Sequence, residues 1–172
     1  RYLWCNSIEE FKKGESPIKS LIFYYSTYRK NTEKIAQLFA EKYGCKLIYI
    51  SNMDYVNIND YDLIGFGSGV YRENLSPKLF RLVEKMDLKN KNVFVFSTSG
   101  VGMKFYKNKL VKLLKSKGAI NKGSFACKGS FDASEFSNNK IFSFIGKLSQ
   151  GHPNNRDLKN AEEFFNNIVK SI

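Results

Sequence analysis

Three short stretches dense in hydroxyls and glycine each follow an apolar run. Ser26-Thr27-Tyr28-Arg29-Lys30-Asn31-Thr32 comes after Leu21-Ile22-Phe23-Tyr24-Tyr25. Ser68-Gly69-Val70-Tyr71 comes after Leu63-Ile64-Gly65-Phe66-Gly67. Ser97-Thr98-Ser99-Gly100-Val101-Gly102 comes after Val93-Phe94-Val95-Phe96. Residues of these types hold anions where a strand hands over to a helix. Hydroxyls and unpaired backbone N–H groups converge there, and the helix dipole adds to the attraction. The first stretch leads into Ile35, Leu38, Phe39 and Tyr43, which recur at helical spacing. A phosphate at that junction would accept hydrogen bonds from Ser26, Thr27, Thr32 and backbone amides.

Other chemistries lack their residues. The pattern G-x-x-x-x-G-K-[ST] of P-loop nucleotide hydrolases is absent. A low-molecular-weight phosphatase needs arginine six positions after its cysteine. Here the positions after Cys5, Cys45 and Cys127 hold Phe11, Ser51 and Ala133. A receiver domain needs acidic side chains where Ser26 and Thr27 stand. One histidine and three dispersed cysteines argue against a zinc or haem centre and against a disulfide framework. The cysteines read as packing residues and His152, before Pro153, as a loop residue. No side chain stands out as a positioned acid, base or nucleophile.

The elements that must position these stretches follow from changes of period. Leu47-Ile48-Tyr49-Ile50 and the weaker Phe125-Ala126-Cys127 join the three apolar runs above, making five strands. Helical spacing returns at Leu75, Leu79, Leu82, Val83 and Met86, at Leu110, Leu113 and Leu114, and at Leu158, Ala161, Phe164, Phe165 and Ile168. Gly44 stops the first helix. Met53 to Asp62 fits either a helix or a loop. Strands without polar alternation are buried on both faces, as in a parallel sheet covered by helices. Strands alternating with helices give right-handed βαβ units. The expected fold is therefore α/β, a three-layer α/β/α sandwich on a five-stranded parallel sheet. In such sheets ligands bind beyond the carboxyl ends of the strands, where strand order reverses, so the three stretches line one pocket. Residues 19–172 form one domain. Residues 1–18 read as an N-terminal extension, in which Tyr2, Leu3 and Trp4 pack as an added strand or a docked segment.

The ordered set of segments resembles the flavodoxin family. The first stretch looks like its phosphate loop. Tyr61 to Tyr71, Phe96 to Gly100, Phe125 to Gly129 and Gly151-His152-Pro153-Asn154 follow in the family's order and spacing, so the resemblance spans about Ile18 to Ile172. It implies a sheet in the order 2-1-3-4-5 and noncovalently bound FMN. By the match Ser26, Thr27, Tyr28, Arg29, Lys30, Asn31 and Thr32 hold the phosphate. Ser68, Gly69, Val70 and Tyr71, with Ser97, Thr98, Ser99, Gly100, Val101 and Gly102, flank the isoalloxazine ring. Tyr71 is the candidate ring-stacking residue, and Gly67 or Gly69 the candidate for a peptide that rearranges beside the flavin. The implied role is electron transfer between redox partner proteins. The alternative is a small FMN-dependent oxidoreductase acting on a quinone-like or porphyrinogen-like substrate. The lack of a positioned acid or base favours the carrier.

One departure is Lys30, preceded by Arg29, where such loops usually carry glycine before Asn-Thr. Its side chain either points to solvent while its backbone still donates, or adds a cation to the phosphate, or weakens the site. The other is charge. Lys plus Arg is 28 against 16 Asp plus Glu, a net +12, whereas many flavodoxins are acidic. That balance favours partners with acidic docking surfaces. It also predicts a flavin made less strongly reducing by Arg29, Lys30, Arg72, Lys104 and Lys128. Nucleic acid is the non-redox rival, but no recognition motif accompanies the charge. No apolar run approaches a membrane span. Residues 1–20 carry Glu9, Glu10, Lys12, Lys13 and Glu15 and so read as no signal peptide, which with the cysteine usage suggests a cytoplasmic location.

Overall fold

In the computed structural model, residues 16–27, 29–52, 56–71, 74–130 and 140–172 are described. The expected extension at residues 1–18 lies almost wholly outside them, as do Tyr28 and Arg72.

The apolar runs form strands. β1 (Ser20–Tyr25), β3 (Leu63–Tyr71) and β5 (Asn92–Ser99) are the central three, and their leading residues are buried on both faces. β2 (Lys46–Tyr49) and β6 (Ile120–Lys128) are the parallel edges. β4 (Asn74–Leu75) folds back antiparallel on β3, pairing Val70 with Leu75 and Tyr71 with Asn74. The sheet runs β2-β1-β3-β5-β6 with β4 off that path. The five parallel strands thus have the expected order, and the two-residue hairpin strand is an addition that period alone does not reveal. β6 is also longer than Phe125-Ala126-Cys127. Its first half, Asn121 to Ser124, is a polar edge with a bulge opposite Val93 and Phe94, where only one face meets the core.

Two helix layers cover the sheet. α1 (Asn31–Tyr43) and α5 (Asn155–Val169) lie on one face, burying Ile35, Ala36, Phe39, Ala161, Phe165 and Ile168 against Phe94 and Phe96. Phe165 is the hub of this layer, with ring centroids 4.9 Å from Phe39 and 4.3 Å from Tyr43. α2 (Pro77–Lys85) and α3 (Asn108–Ser116) cover the opposite face through Leu79, Leu82, Val83, Leu110 and Leu114. Each end has a chemical cause. Ser76 caps α2 with Pro77 following it, Asn154 and Asp157 form a capping box on α5, and Gly44 at φ 67 closes α1.

Leu75, expected on the second helix, instead sits in β4, because Pro77 sets the helix start two residues later. α4 (Lys140–Ser149) has no counterpart in the expected elements. Between β2 and β3 the described residues form two 3-10 turns, Ile50–Asn52 and Ile58–Asp60, rather than an α-helix.

Candidate functional site

From β1 the chain turns one way to β2 and the other way to β3, so the carboxyl ends of β1, β3 and β5 border the point where strand order reverses. The first stretch lies there. Ser26 is buried and Thr27, Arg29 and Lys30 are exposed. Arg29 and Lys30 both take left-handed backbone, φ 46 and φ 53. The change of hand from left-handed Lys30 to helical Asn31 is the kind of turn that gathers successive N–H groups into an anion-binding concavity. Among the described residues no side chain caps α1, unlike α2 and α5, so its first amides stay available. The exposed Lys30 side chain lies beside Glu33, Nζ to Oε2 3.7 Å. The Lys30 side chain thus points to solvent, as in the first of the three roles open to it.

Four hydrogen bonds tie this turn to the ends of β3 and β5 and to Ser130 beyond β6. Thr27 Oγ1 meets Tyr71 Oη of β3 at 2.8 Å. Thr32 Oγ1 meets Thr98 Oγ1 of β5 at 2.8 Å, with both residues buried. Asn31 Nδ2 donates to the Ser130 carbonyl at 2.9 Å, and the Ser130 N–H donates back to Asn31 Oδ1 at 3.2 Å. Gly129 makes this last clasp possible, since a Cβ there would sit 2.7 Å from Asn31 Nδ2. The clasp joins residues 99 apart, a pairing that spacing in the chain cannot signal.

Ser68 to Tyr71 are strand residues rather than a loop. Ser68 Oγ donates to the Gly69 carbonyl at 2.7 Å and accepts from the Ser76 N–H at 3.0 Å, which fixes the β3–β4 hairpin. Gly67 is glycine for packing: a Cβ there would fall 2.1 Å from the Phe96 ring. It therefore sits against a neighbour rather than in a free turn, while Gly69, beside Tyr71, lies nearer the strand end. Tyr71 packs beside Tyr25, centroids 5.9 Å apart, and Tyr25 stacks on Tyr49 at 5.7 Å. Tyr49 also donates to the Ser26 carbonyl at 3.3 Å. Burial raises the Tyr71 hydroxyl above its ordinary pKa, against the lowering effect of its bond to Thr27.

Ser97 and Thr98 are buried at the end of β5, and Ser99 opens a turn. The Gly102 N–H donates to Ser99 Oγ at 2.8 Å and the Gly129 N–H to the Ser99 carbonyl at 3.0 Å. Gly102 has φ 65 and packs on the β6 backbone, where a Cβ would lie 3.2 Å from the carbonyl carbon of Cys127. Gly100 and Val101 form the half-exposed bend between them, followed by exposed Met103 and Phe105. Cys45 and Cys127 are buried, and burial pushes both thiols up to about 12, as expected of packing residues. Among the described residues no group of His, Cys, Asp and Glu side chains could hold a metal ion.

The site is thus one edge where α1 offers uncapped amides and buried hydroxyls, β3 a tyrosine-faced hairpin, and β5 a glycine-bearing turn. A buried hydroxyl pair beside a left-handed turn and a free helix N-terminus fits a phosphate monoester.

Comparison with known proteins agrees in extent. Residues 21–155 match the family model described as Flavodoxin domain. An uncharacterised protein of Methanocaldococcus jannaschii is 38% identical over 156 residues, 90% of this chain and 100% of that protein. Oxidised flavodoxin 1 of Bacillus cereus superposes with TM-score 0.61 at 18% identity, over 90% of this chain and 99% of that one. A Streptococcus pneumoniae flavodoxin superposes with TM-score 0.63 at 15% identity, over 89% and 99%. At such identities the two structures attest the fold.

Proposed function

The chain belongs to the flavodoxin domain family, and from that premise we propose that it binds FMN noncovalently and carries electrons between redox partner proteins. The observation that carries this reading is the knot of bonds by which Thr27, Asn31 and Thr32 join the first turn to Tyr71, Ser130 and Thr98. These bonds fix the turn before α1 relative to the ends of β3 and β5, which supports a phosphate held at the turn with the ring beside those strand ends.

Each residue then has a task. Ser26, Thr27 and Thr32 present hydroxyls to the phosphate, and the α1 amides and dipole neutralise it without a direct cation. Arg29 and Lys30 shape the turn through their backbones. The Asn31–Ser130 clasp keeps the turn from opening. Tyr71 offers an aromatic face to the ring, which contributes about 1 kcal/mol beyond area burial. Ser97 to Gly102 bound the other side and narrow the approach of water. When bound, the flavin supplies the electron-carrying chemistry, and the protein supplies orientation and electrostatics. Exposed Met103 and Phe105, with Lys104 between them, give the rim an apolar and basic face for an acidic partner. Among the described residues no helix is long and apolar enough to cross a membrane.

Titration of the flavin-free protein with FMN, followed by visible absorption and by melting temperature, tests the reading. Bound yellow colour and a melting point that rises with FMN are expected. A folded protein that stays colourless in excess FMN, with an unmoved melting point, overturns it. Reduction of the loaded protein by a flavoprotein reductase, without turnover of quinones, separates the carrier from an oxidoreductase.

A further inference from the structure

Among the described residues Lys107 is the one long cation with a fully buried side chain, at 1% exposure. Its Nζ has no hydrogen-bond partner among the described residues. It ends the 3-10 turn Lys104–Lys107 that follows the Ser97–Gly102 stretch and leads into α3. That turn packs against β4, β5 and β6, beneath the site described above. A buried ammonium without a counter-charge is costly, and structural lysines at such depth are ordinarily paired. Here the geometry leaves a buried positive charge on the turn that follows the Ser97–Gly102 stretch, packed against β5, one of the two strands assigned to the flavin ring.

We propose that Lys107 is a positioning residue that holds a positive charge, or a proton to be gained, against the negative charge that reduction places on the bound flavin. The proposal rests on the FMN reading and names a residue that neither sequence nor family resemblance marks. Burial, first, and the Lys104 cation, second, pull the ammonium down from 10.5 to about 8, with Cys127 opposing. Among the described residues, Lys104 on its own turn and Cys127 on β6 are the groups whose charge acts on it most. The elements packed on the turn also carry Lys109, Lys112 and Lys115 on α3 and Lys122 and Lys128 on β6, and Tyr106 shares the turn, while Asn74–Leu75 and Asn92–Ser99 contain no titratable group. Below pH 8 Lys107 already carries its proton and attracts each arriving electron. Above pH 8 its neutral amine takes one proton from solvent, forming an N–H bond, as one electron reaches the ring from the reductant. Negative charge nearby raises the ammonium's pKa, so this coupling holds over the window just above 8.

The test is potentiometric titration of the full-length FMN-loaded protein, reduced by dithionite through mediators, between pH 6 and 10. Wild type is compared with Lys107→Met and Lys107→Arg. At pH 7 the Met variant should favour the oxidised state roughly tenfold more, the scale of one unit charge acting over a side-chain length in a partly buried medium. That is about 59 mV for a one-electron couple. Above pH 8 the wild-type potential should fall with pH more steeply than the variant's, and Arg should keep the pH 7 value. Should Met fail to fold, the Nζ titration of wild type is followed by NMR in both redox states, and a pKa raised on reduction is expected. Equal potentials and slopes in wild type and Met, or an Nζ titration unmoved by reduction, overturn the proposal and leave FMN binding standing. Failure of the wild type to bind FMN overturns the reading beneath it instead.

Discussion

Replacing Lys107 by Met should make the flavin-free protein more stable, the reverse of most core substitutions. Methionine keeps the length and flexibility of the stem and removes the ammonium, so no cavity is opened. The ammonium's fall from 10.5 to about 8 corresponds to about 3 kcal/mol at 1.36 kcal/mol per unit. That is a ceiling, because a flexible stem relaxes toward water in part, and we expect a gain of about 1–2 kcal/mol at pH 7. The sign with pH is fixed. Between about 8 and 10.5 the unfolded chain binds a proton at this lysine that the folded chain does not, so wild-type stability rises with pH across that window. The Met variant lacks this contribution, and its advantage shrinks as the window is crossed. Urea unfolding of both proteins without FMN, at pH 7 and again near pH 10, reads both effects, with equal m-values required for the comparison. A Met variant less stable than wild type at pH 7, or a difference constant with pH, would refute the claim that Lys107 is buried without a partner.

Lys30 holds left-handed backbone with its side chain in solvent, so Lys30→Gly should stabilise the protein by about 0.5–1 kcal/mol and Lys30→Val should cost at least about 1 kcal/mol, both read by thermal unfolding. The lost Lys30–Glu33 pair is exposed and contributes little. Gly67→Ala should cost about 2–3 kcal/mol, since the new methyl meets the Phe96 ring, and Phe96→Leu in the same chain should recover part of that loss in a double-mutant cycle. Thr32→Val should cost about 1–2 kcal/mol by leaving the buried Thr98 hydroxyl unpaired. The same variant should weaken FMN binding about tenfold by removing a phosphate donor, measured by quenching of FMN fluorescence.

Much of the scaffold is legible in one dimension because it is written in short-range chemistry. Leu21 to Tyr25 and Val93 to Phe96 are strands since continuous apolar runs suit only a sheet covered on both faces. Gly44 and Asn154 mark helix ends since left-handed backbone and a side-chain acceptor are local needs. Elements with weak local signals were harder to read. The Asn74–Leu75 strand is only two residues long, and the first half of β6 is polar because it is an edge. α4 and α5 both come after β6 with no strand between the two helices, so the alternation of periods gives no place for α4.

At the site the division is sharper. By residue type and position alone, Ser26 to Thr32, Ser68 to Tyr71 and Ser97 to Gly102 were identifiable as one edge of a parallel sheet, because side-chain chemistry and strand order are properties of the chain itself. Which hydroxyl meets which, Thr27 with Tyr71 and Thr32 with Thr98, was decided only when segments 44 and 66 residues apart came together. Lys107 is the extreme case. In a run holding Lys104, Lys107 and Lys109 each cation looks solvated, and only the packing of β4, β5 and β6 around the turn puts one of them inside. Charge and polarity are carried by the residue, but the dielectric around a charge is set by whatever distant chain folds over it.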